Sequence, residues 1–307
     1  MKKKLAVILG PTATGKSHCG IALAQALDGE IISGDSMLVY CGMDIGTAKP
    51  TAEELAAVPH HMVDILPPDA GFNVVDFKEQ AERLIDDITA RGKLPIIVGG
   101  TGLYIKALLE NYHFNAAGEN AELRRELETL LAEHGKEVLF ARLQKAAPHE
   151  AERIDINNTR RVIRAIEAAE SGDNLSHTND GELAYDAVVF GLRMERSVLY
   201  DRINRRVDIM LEQGLLEETK KLLDSGVPAS AQSMQAIGYR QTVMYLTGQL
   251  DYATAVDKLK QATRNFAKRQ FTWYKKMPYV QWFDLPAQPD YEQVTAEMIE
   301  IIKNKWK

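Results

Sequence analysis

The sequence predicts an α/β protein whose core is a parallel, helix-covered sheet. Three short apolar runs each end in a polar loop, and they lie at residues 5–9, 30–33 and 94–98. Helical patterns at 17–27 and 77–91 separate these runs. Strands that are apolar along their whole length and alternate with helices are typical of a parallel sheet covered on both faces. A fourth apolar run at 187–192 predicts that the chain returns to the same sheet.

The chain between the third and fourth runs is helical. Leucines recur at helical spacing from residue 120 to about 172, and the polar stretch 171–181 predicts a loop. We therefore expect a helical insertion over 116–185 within a core formed by 1–115 and 186–307. The C-terminal part of the core is again helical, with patterns at 199–213, 215–224, 252–274 and 292–305.

Composition narrows the class of protein. The chain has 307 residues, of which 45% are hydrophobic, and this is enough for a substantial core. Its apolar runs fall short of the roughly 20 residues that cross a bilayer, so we expect no membrane association. The two cysteines, Cys19 and Cys41, form no C-x-x-C pair, which favours a reduced, cytoplasmic location. A net charge of −6 argues against a generally basic nucleic-acid binder but allows one basic face.

A complete phosphate-binding loop follows the first strand. It has the pattern G-x-x-x-x-G-K-[ST] and consists of Gly10, Pro11, Thr12, Ala13, Thr14, Gly15, Lys16 and Ser17. Backbone N–H groups and a helix N-terminus would hold a phosphate there, Lys16 would add positive charge, and the Ser17 hydroxyl would bind Mg²⁺. The sequence therefore predicts a P-loop NTPase-like core that binds a diphosphate or a triphosphate.

Ligands of parallel sheets bind beyond the carboxyl ends of the strands, so the loops 10–17, 34–36 and 99–102 should share one crevice at this edge of the sheet. The second and third strands place polar residues there. Asp35 could act as a general base or as a water-mediated metal partner, and the alternative is a simple turn aspartate. The third strand ends in Gly99, Gly100 and Thr101, without the aspartate or water-activating glutamate typical of nucleotide hydrolases. We therefore expect poor nucleotide hydrolysis.

Two further patterns at this edge are weaker. The Gly99–Gly100–Thr101 segment could form a second anion cradle or be a plain strand–helix turn, and its shared edge with Lys16 and Asp35 favours the first. His60 and His61 with Asp64 suggest a metal site. Adjacent strand residues point to opposite faces, however, so we interpret both histidines as structural.

A basic segment near the C-terminus indicates nucleic acid. Residues 258–276 carry seven Lys and Arg residues and no carboxylate, interleaved with four aromatic residues. Lys260, Arg264 and Lys268 fall on one helical face. A solvated helix face is the alternative, but such uneven charge in an acidic protein favours RNA. A second cluster in the insertion, consisting of Arg153, Arg160, Arg161 and Arg164, would suit a folded RNA.

Taken together, these segments resemble the tRNA dimethylallyltransferase (tRNA isopentenyltransferase) family, bacterial type. The similar stretches, in chain order, are residues 10–17, 35–36, 42–50, 60–61 with 64–65, 99–104, 235–239 and 267–273. The stretch from Asp35 to Pro50 is more diagnostic than the phosphate loop. The zinc finger of eukaryotic members does not occur in this sequence, which is why the resemblance is to the bacterial type.

The resemblance implies a reaction and its partners. In that family the loop binds the diphosphate of dimethylallyl diphosphate rather than ATP, with Mg²⁺ as cofactor. The enzyme transfers the dimethylallyl group to the exocyclic amine of the adenine on the 3′ side of the anticodon. Its tRNA partners read codons that begin with U and are recognised at the anticodon stem-loop. We expect this protein to be a monomer.

The resemblance also implies roles for individual residues. Asp35 would take the amine proton, Thr101 would contact the reacting groups, and Lys16 would complete the catalytic set. The residues expected to contact tRNA are Asp35, Ser36, Met37, Leu38, Thr101, Arg124, Thr159, Arg160, Arg161, Val162, Ile163, Arg206, Lys268, Arg269 and Trp273. Many members have Gln where this chain has Leu38, so a hydrogen bond to the target base from this position is not expected.

Two other classes of function fit parts of the pattern. A small-molecule kinase would use the loop for ATP and Asp35 as base toward a substrate hydroxyl, and would leave the basic segment without a role. A non-catalytic RNA-binding protein would keep tRNA affinity and be insensitive to loss of Asp35. Transfer from labelled dimethylallyl diphosphate or from labelled ATP separates these classes.

Overall fold

The computed structural model describes residues 2–112, 121–170 and 182–307. The chain forms two compact units, one comprising Met1–Asn111 with Gly181–Lys307 and the other Tyr112–Asp180. We call them the core unit and the helical unit. No helix in the described residues is long and apolar enough to cross a membrane.

The core unit contains a parallel sheet with strand order β3-β2-β4-β1-β5-β6. Its strands are β1 Lys4–Leu9, β2 Gly29–Ser33, β3 His60–His61, β4 Leu94–Gly99, β5 Asp186–Met194 and β6 Val280–Leu285. The predicted α/β class and the four predicted strands are confirmed. The edge strand β6 was not predicted, because only its two end residues are buried and it therefore lacks a continuous apolar run.

Helices surround the sheet and form the second unit. In chain order they are α1 Lys16–Ala26, α2 Ala52–Ala57, α3 Val74–Ala90, α4 Gly102–Leu109, α5 Ala121–Ala146, α6 Pro148–Ala151, α7 Thr159–Glu170, α8 Arg196–Glu212, α9 Leu215–Asp224, α10 Tyr239–Leu246, α11 Tyr252–Tyr274 and α12 Tyr291–Lys305. A short 3₁₀ helix spans Ser233–Gln235.

Alternation along the central strand β1 divides the core in two. Leu5, Val7 and Leu9 pack into one buried cluster, while Ala6 and Ile8 pack into another. Successive strand residues point to opposite faces, so apolar residues throughout mean that both faces are covered. The first cluster contains residues of α3 and α4, and the second contains residues of α1 and α12.

Local signals set where several helices begin. The Asn73 side chain accepts hydrogen bonds from the N–H groups of Val75 and Asp76 and so caps α3. Asp251 caps α11 through the N–H of Thr254, and Asp290 caps α12 through that of Gln293. Such caps satisfy N–H groups that a helix leaves unpaired at its start.

The helical unit is built from α5, α6 and α7. Helix α5 is kinked at Gly135, where φ is 80° and the backbone leaves the helical conformation for one residue. Leu127, Leu139 and Leu143 of α5 form a core with Val162 and Ile166 of α7. The predicted loop at 171–181 lies outside the described residues, as does the stretch 113–120.

Candidate active site

The phosphate-binding loop joins the end of β1 to the start of α1. Ala13 and Gly15 have φ values of 67° and 88°, in the left-handed region, and the Thr14 hydroxyl donates to the Pro11 carbonyl at 2.8 Å. A Cβ on Gly15 would lie 2.3 Å from the Tyr291 ring, so glycine is required there. Helix α1 begins at the next residue, and the N–H groups of its first turn are available to an anion.

Lys16 carries a desolvated cation in this loop. Its ammonium donates to the Pro11 carbonyl at 2.8 Å. Burial of the ammonium, together with the nearby charge of Arg206, lowers the pKa of Lys16 to about 8, and the Asp35 carboxylate opposes this shift. An arriving phosphate would supply further negative charge and restore the protonated form.

A cavity of about 580 Å³ opens beside the loop. Its wall includes residues that follow β1, β2 and β4, three neighbouring strands of the sheet. They are Thr12, Ala13, Gly15, Lys16, Ser17, Asp35, Ser36, Met37, Leu38, Gly99 and Gly100. The C-terminal edge of a parallel sheet is where such folds bind ligands. The single crevice predicted from the sequence is therefore present.

Asp35 and Thr101 are held by backbone contacts at this edge. An Asp35 carboxylate oxygen accepts the Met37 N–H at 2.8 Å, which fixes the turn that carries Ser36. The Thr101 hydroxyl accepts the Ser36 N–H at 3.1 Å, and the Thr101 N–H donates to the Gly34 carbonyl. Thr101 thus fixes the Asp35 turn. A direct contact of Thr101 with reacting groups stays a prediction.

Close packing accounts for the glycines after β4. A Cβ on Gly99 would lie 2.3 Å from the Gly34 backbone, and one on Gly100 would lie 2.4 Å from the Gln270 amide nitrogen. Neither position has room for a side chain. Close packing thus gives one reason for these glycines, and a second anion cradle at this segment stays a prediction.

The two adjacent histidines are structural. His61 Nε2 lies 2.7 Å from the Glu30 carboxylate, and His60 Nδ1 lies 2.9 Å from the Val58 carbonyl. Glu30 is 2% exposed, and its hydrogen bonds to Arg91 lower its pKa to about 2 against the opposing effect of burial. In the described part of the chain, no group of three His, Cys, Asp or Glu residues could hold a metal ion.

Arg206 of α8 lines the same cavity. Burial lowers the pKa of its guanidinium, the Asp35 charge raises it, and Arg202 lowers it. The cavity wall therefore carries two desolvated cations, Lys16 and Arg206, near one carboxylate. The family resemblance implies a tRNA contact for Arg206, and no sequence motif indicates its position near Lys16.

The loop 42–50, part of the diagnostic stretch, is shaped by residues that sequence reasoning missed. The Glu218 carboxylate accepts the N–H groups of Asp44, Ile45 and Gly46 at 2.9, 2.9 and 3.1 Å. It also accepts the Tyr239 hydroxyl at 2.5 Å. A single acidic residue on a helix gives no sequence signal for this role. Through these bonds Glu218 fixes a loop whose residues 46–48 line the cavity.

Some cations of the basic segment on α11 are engaged by other residues of the protein. Lys260 pairs with Asp208 at 2.6 Å, and Arg264 donates to the Asn204 side chain at 2.6 Å, so both are engaged with α8. Two of the three cations on the predicted face therefore have partners within the protein, and the RNA interface stays a prediction. Lys268 is exposed, as are Arg269 and Trp273 in the same part of the helix. Arg269 also lines the cavity.

The predicted tRNA residues of the helical unit have different environments. Arg124 binds Glu167 through two hydrogen bonds of 2.9 Å. Val162 and Ile163 are 1% and 7% exposed and pack in the core of the unit. Their side chains therefore support the helix, and contact of these two residues with tRNA stays a prediction. Arg160 and Arg161 are exposed, and Thr159 is partly exposed.

A magnesium ion fits the donor set of the cavity. The exposed Ser17 hydroxyl and the Asp35 carboxylate both line it and offer oxygen ligands, which Mg²⁺ prefers. Mg²⁺ usually keeps several waters and takes other ligands from phosphates, so a larger protein cluster is not needed.

Comparisons with known proteins agree over almost the whole chain. A family model described as IPP transferase matches residues 38–277. The tRNA dimethylallyltransferase of Bacillus velezensis is 49% identical over 99% of this chain and 98% of its own. That of Bacillus mycoides is 48% identical over 99% of this chain and 96% of its own.

Two solved structures have the same fold. The tRNA isopentenylpyrophosphate transferase of Bacillus halodurans is 46% identical, with a TM-score of 0.75 over 99% of this chain and 97% of that chain. A eukaryotic dimethylallyltransferase acting on tRNA is 28% identical, with a TM-score of 0.80 over 98% of this chain and 80% of that chain. The sequence resemblance is confirmed, and the chain belongs to the IPP transferase family.

Proposed function

We propose that this protein transfers the dimethylallyl group from dimethylallyl diphosphate to tRNA. The acceptor is the exocyclic amine of the adenine on the 3′ side of the anticodon, in tRNAs that read codons beginning with U. Family membership and the names of the relatives support a tRNA prenyl transferase. The observation that carries the proposal is the cavity wall shared by Lys16 and Asp35, an anion-binding group and a base.

The diphosphate of the donor would bind at the phosphate loop. Negative charge develops on its bridging oxygen as the bond to carbon breaks, and preorganised cations in a desolvated site stabilise such charge strongly. Lys16 and Arg206 line the cavity, and the N-terminus of α1 is adjacent. We therefore assign Arg206 to the donor rather than to tRNA.

The prenyl chain would occupy the apolar side of the same cavity. Ile203, Val207 and Met210 of α8 contribute to this wall, and Leu259 and Phe266 of α11 contribute to it as well. Apolar walls with a few placed polar groups are typical of small-molecule sites. A branched five-carbon chain fits such a surface.

Transfer makes one bond and breaks another. The adenine amine nitrogen attacks the first carbon of the donor, the carbon–oxygen bond breaks, and diphosphate leaves with the electron pair. Asp35 takes a proton from the amine. An adenine amine is a weak nucleophile, so proton removal helps only when the amine is held close to the donor. The base has to leave its stack first, which costs least in a single-stranded loop.

Ser17 would hold Mg²⁺ through its hydroxyl oxygen. When bound, the ion supplies positive charge to the diphosphate. The chain's own contribution is then to orient the diphosphate through Lys16 and the N–H groups of the loop.

Contacts with the anticodon stem-loop would come from several places. On the core unit, Ser36, Met37 and Leu38 line the cavity, and Lys268, Arg269 and Trp273 are exposed on α11. Leu38 would contact the base through its apolar side chain. On the helical unit, we assign contacts to Thr159, Arg160 and Arg161, with Arg124 a weaker candidate because it is paired with Glu167. The monomeric state and the cytoplasmic location stay predictions.

A transfer assay tests the proposal. The protein is incubated with unmodified tRNA and either labelled dimethylallyl diphosphate or labelled ATP, and the mass increase is mapped to one nucleotide. We expect one prenyl unit on the adenine next to the anticodon. Phosphate transfer from ATP without prenyl transfer would support a kinase instead. Binding of tRNA with no transfer from either donor would indicate a non-catalytic RNA-binding protein.

A further inference from the structure

We infer that Gln270 is a positioning residue that ties the phosphate loop to the turn after β4 and so sets the geometry for transfer. The inference rests on the proposed function. Gln270 lies on α11, far in sequence from both segments, and is 4% exposed. Besides bridging them it lines the cavity.

Both ends of the Gln270 amide are used. Its oxygen accepts the N–H of Thr12, in the phosphate loop, at 3.0 Å. Its nitrogen donates to the carbonyl of Gly100, in the turn after β4, at 2.9 Å. We expect dimethylallyl diphosphate to bind at the phosphate loop. The turn after β4 adjoins the turn that carries Asp35. A buried amide with satisfied bonds at both ends fixes the separation of the groups it joins.

Tyr274, one helical turn further on, strengthens this bridge. Its hydroxyl lies 2.7 Å from the Gly100 carbonyl and 3.2 Å from the Gly10 carbonyl, and it is fully buried. Burial raises the pKa of Tyr274, so the hydroxyl stays protonated and can donate. The Gly100 carbonyl therefore has donors from Gln270 and Tyr274 for both lone pairs.

Gln270 packs so closely against Gly100 that a displacement of Gln270 would also displace the turn after β4. Gly100 has no room for a Cβ because the Gln270 amide nitrogen would lie 2.4 Å from it. Displacement of about 1 Å in a reacting group can cost about 100-fold in rate. Gln270 touches neither reacting atom directly in this role. It acts through Thr12 and Gly100.

The test compares two variants of nearly the same shape. Gln270→Met removes both hydrogen bonds, while Gln270→Glu keeps the acceptor for Thr12 and sets a carboxylate oxygen against the Gly100 carbonyl. Gln261→Met and Gln261→Glu are matched controls, because Gln261 is an exposed glutamine on the same helix. For each variant we would measure kcat, the KM for the donor and for tRNA, the affinity for inorganic diphosphate by calorimetry, and thermal unfolding.

We expect both Gln270 variants to lower kcat by about 10- to 100-fold. Diphosphate affinity should fall by severalfold, and the KM for tRNA and the folded fraction should stay close to wild type. The Gln261 variants should match wild type throughout. Unchanged kcat and diphosphate affinity in folded Gln270 variants would overturn the inference. A loss of kcat and diphosphate affinity that only follows the folded fraction would also overturn it. The failure of both Gln270 variants to fold would do the same.

The diphosphate measurement separates this inference from the proposed function. If the wild-type protein transferred no prenyl group, the proposed function would be wrong. The comparison of diphosphate affinity between wild type and the Gln270 variants would still test the role of Gln270.

Discussion

Lys16 carries a desolvated cation whose charge near neutral pH depends on its surroundings. Its pKa is lowered to about 8 by burial and by Arg206, so it loses its proton as the pH rises through that value. Only the protonated form attracts the diphosphate. We therefore expect kcat/KM for dimethylallyl diphosphate to be level below about pH 7 and to fall about tenfold per unit above about pH 8. The measurement is a rate profile from about pH 6 to about pH 10 at constant ionic strength.

The control for this profile is Lys16→Arg. A guanidinium stays charged throughout the range, so the alkaline fall should disappear even if the activity is lower. A wild-type profile that stays level to the alkaline end of the range would contradict the role given to Lys16.

Asp35 allows a substitution that removes the base and keeps the turn. Asp35→Asn retains an oxygen that can accept the Met37 N–H, so the segment that lines the cavity should keep its shape. An amide takes up no proton from the adenine amine. We expect single-turnover transfer to fall by about 10²- to 10⁴-fold with unchanged tRNA affinity. Asp257→Asn, at an exposed position on α11, is the control. Full activity of Asp35→Asn would exclude a base at this position.

At the scale of elements, helix α11 shows how far sequence patterns reach. Its bounds, Tyr252–Tyr274, are those that its periodicity predicts. Which of its cations pair with other residues was not predictable, because the sequence of a helix does not show which element packs against it. Lys260 pairs with Asp208, and Arg264 bonds to Asn204, both on α8. Strong local periodicity identifies an element, whereas tertiary contacts decide which charges stay free.

In the candidate site, too, local features were predictable from the sequence and tertiary contacts were not. The loop around Lys16 and the position of Asp35 were predictable, since the ends of neighbouring parallel strands share one edge. The roles of Glu218, Gln270 and Arg206 were not, because each lies on a distant helix and acts through contacts that no local motif encodes. Strand β6 escaped prediction for a related reason: an edge strand need not be apolar throughout.

Lys268 and Lys260 give a matched pair for the RNA interface. Both lie on α11, but Lys268 is exposed, whereas the Lys260 ammonium lies 2.6 Å from the Asp208 carboxylate of α8. Each lysine–phosphate contact releases about one counterion on binding. We expect Lys268→Ala to weaken tRNA binding and to reduce the slope of log K against log salt by about one. Lys260→Ala should leave the slope unchanged. Equal effects of the two substitutions would remove Lys268 from the interface.

In the molecule as a whole, the course of the chain allows the helical unit to be deleted from the core unit. The Ala184 N–H donates to the Leu109 carbonyl at 2.8 Å, so the core chain ends and resumes at neighbouring points. The cavity wall described above belongs entirely to the core unit. A short flexible linker of about five glycine and serine residues can replace residues 113–181 without stretching the core.

We expect the shortened protein to unfold cooperatively and to bind dimethylallyl diphosphate within about threefold of the full chain, because its core and cavity are intact. Its tRNA affinity should fall by at least about tenfold, since the exposed Arg160 and Arg161 are removed. Calorimetry with the donor and filter binding with tRNA measure the two affinities. The full-length double variant Arg160→Ala with Arg161→Ala should reproduce part of the tRNA loss. Undiminished tRNA affinity in the shortened protein would show that the core unit alone provides the RNA interface.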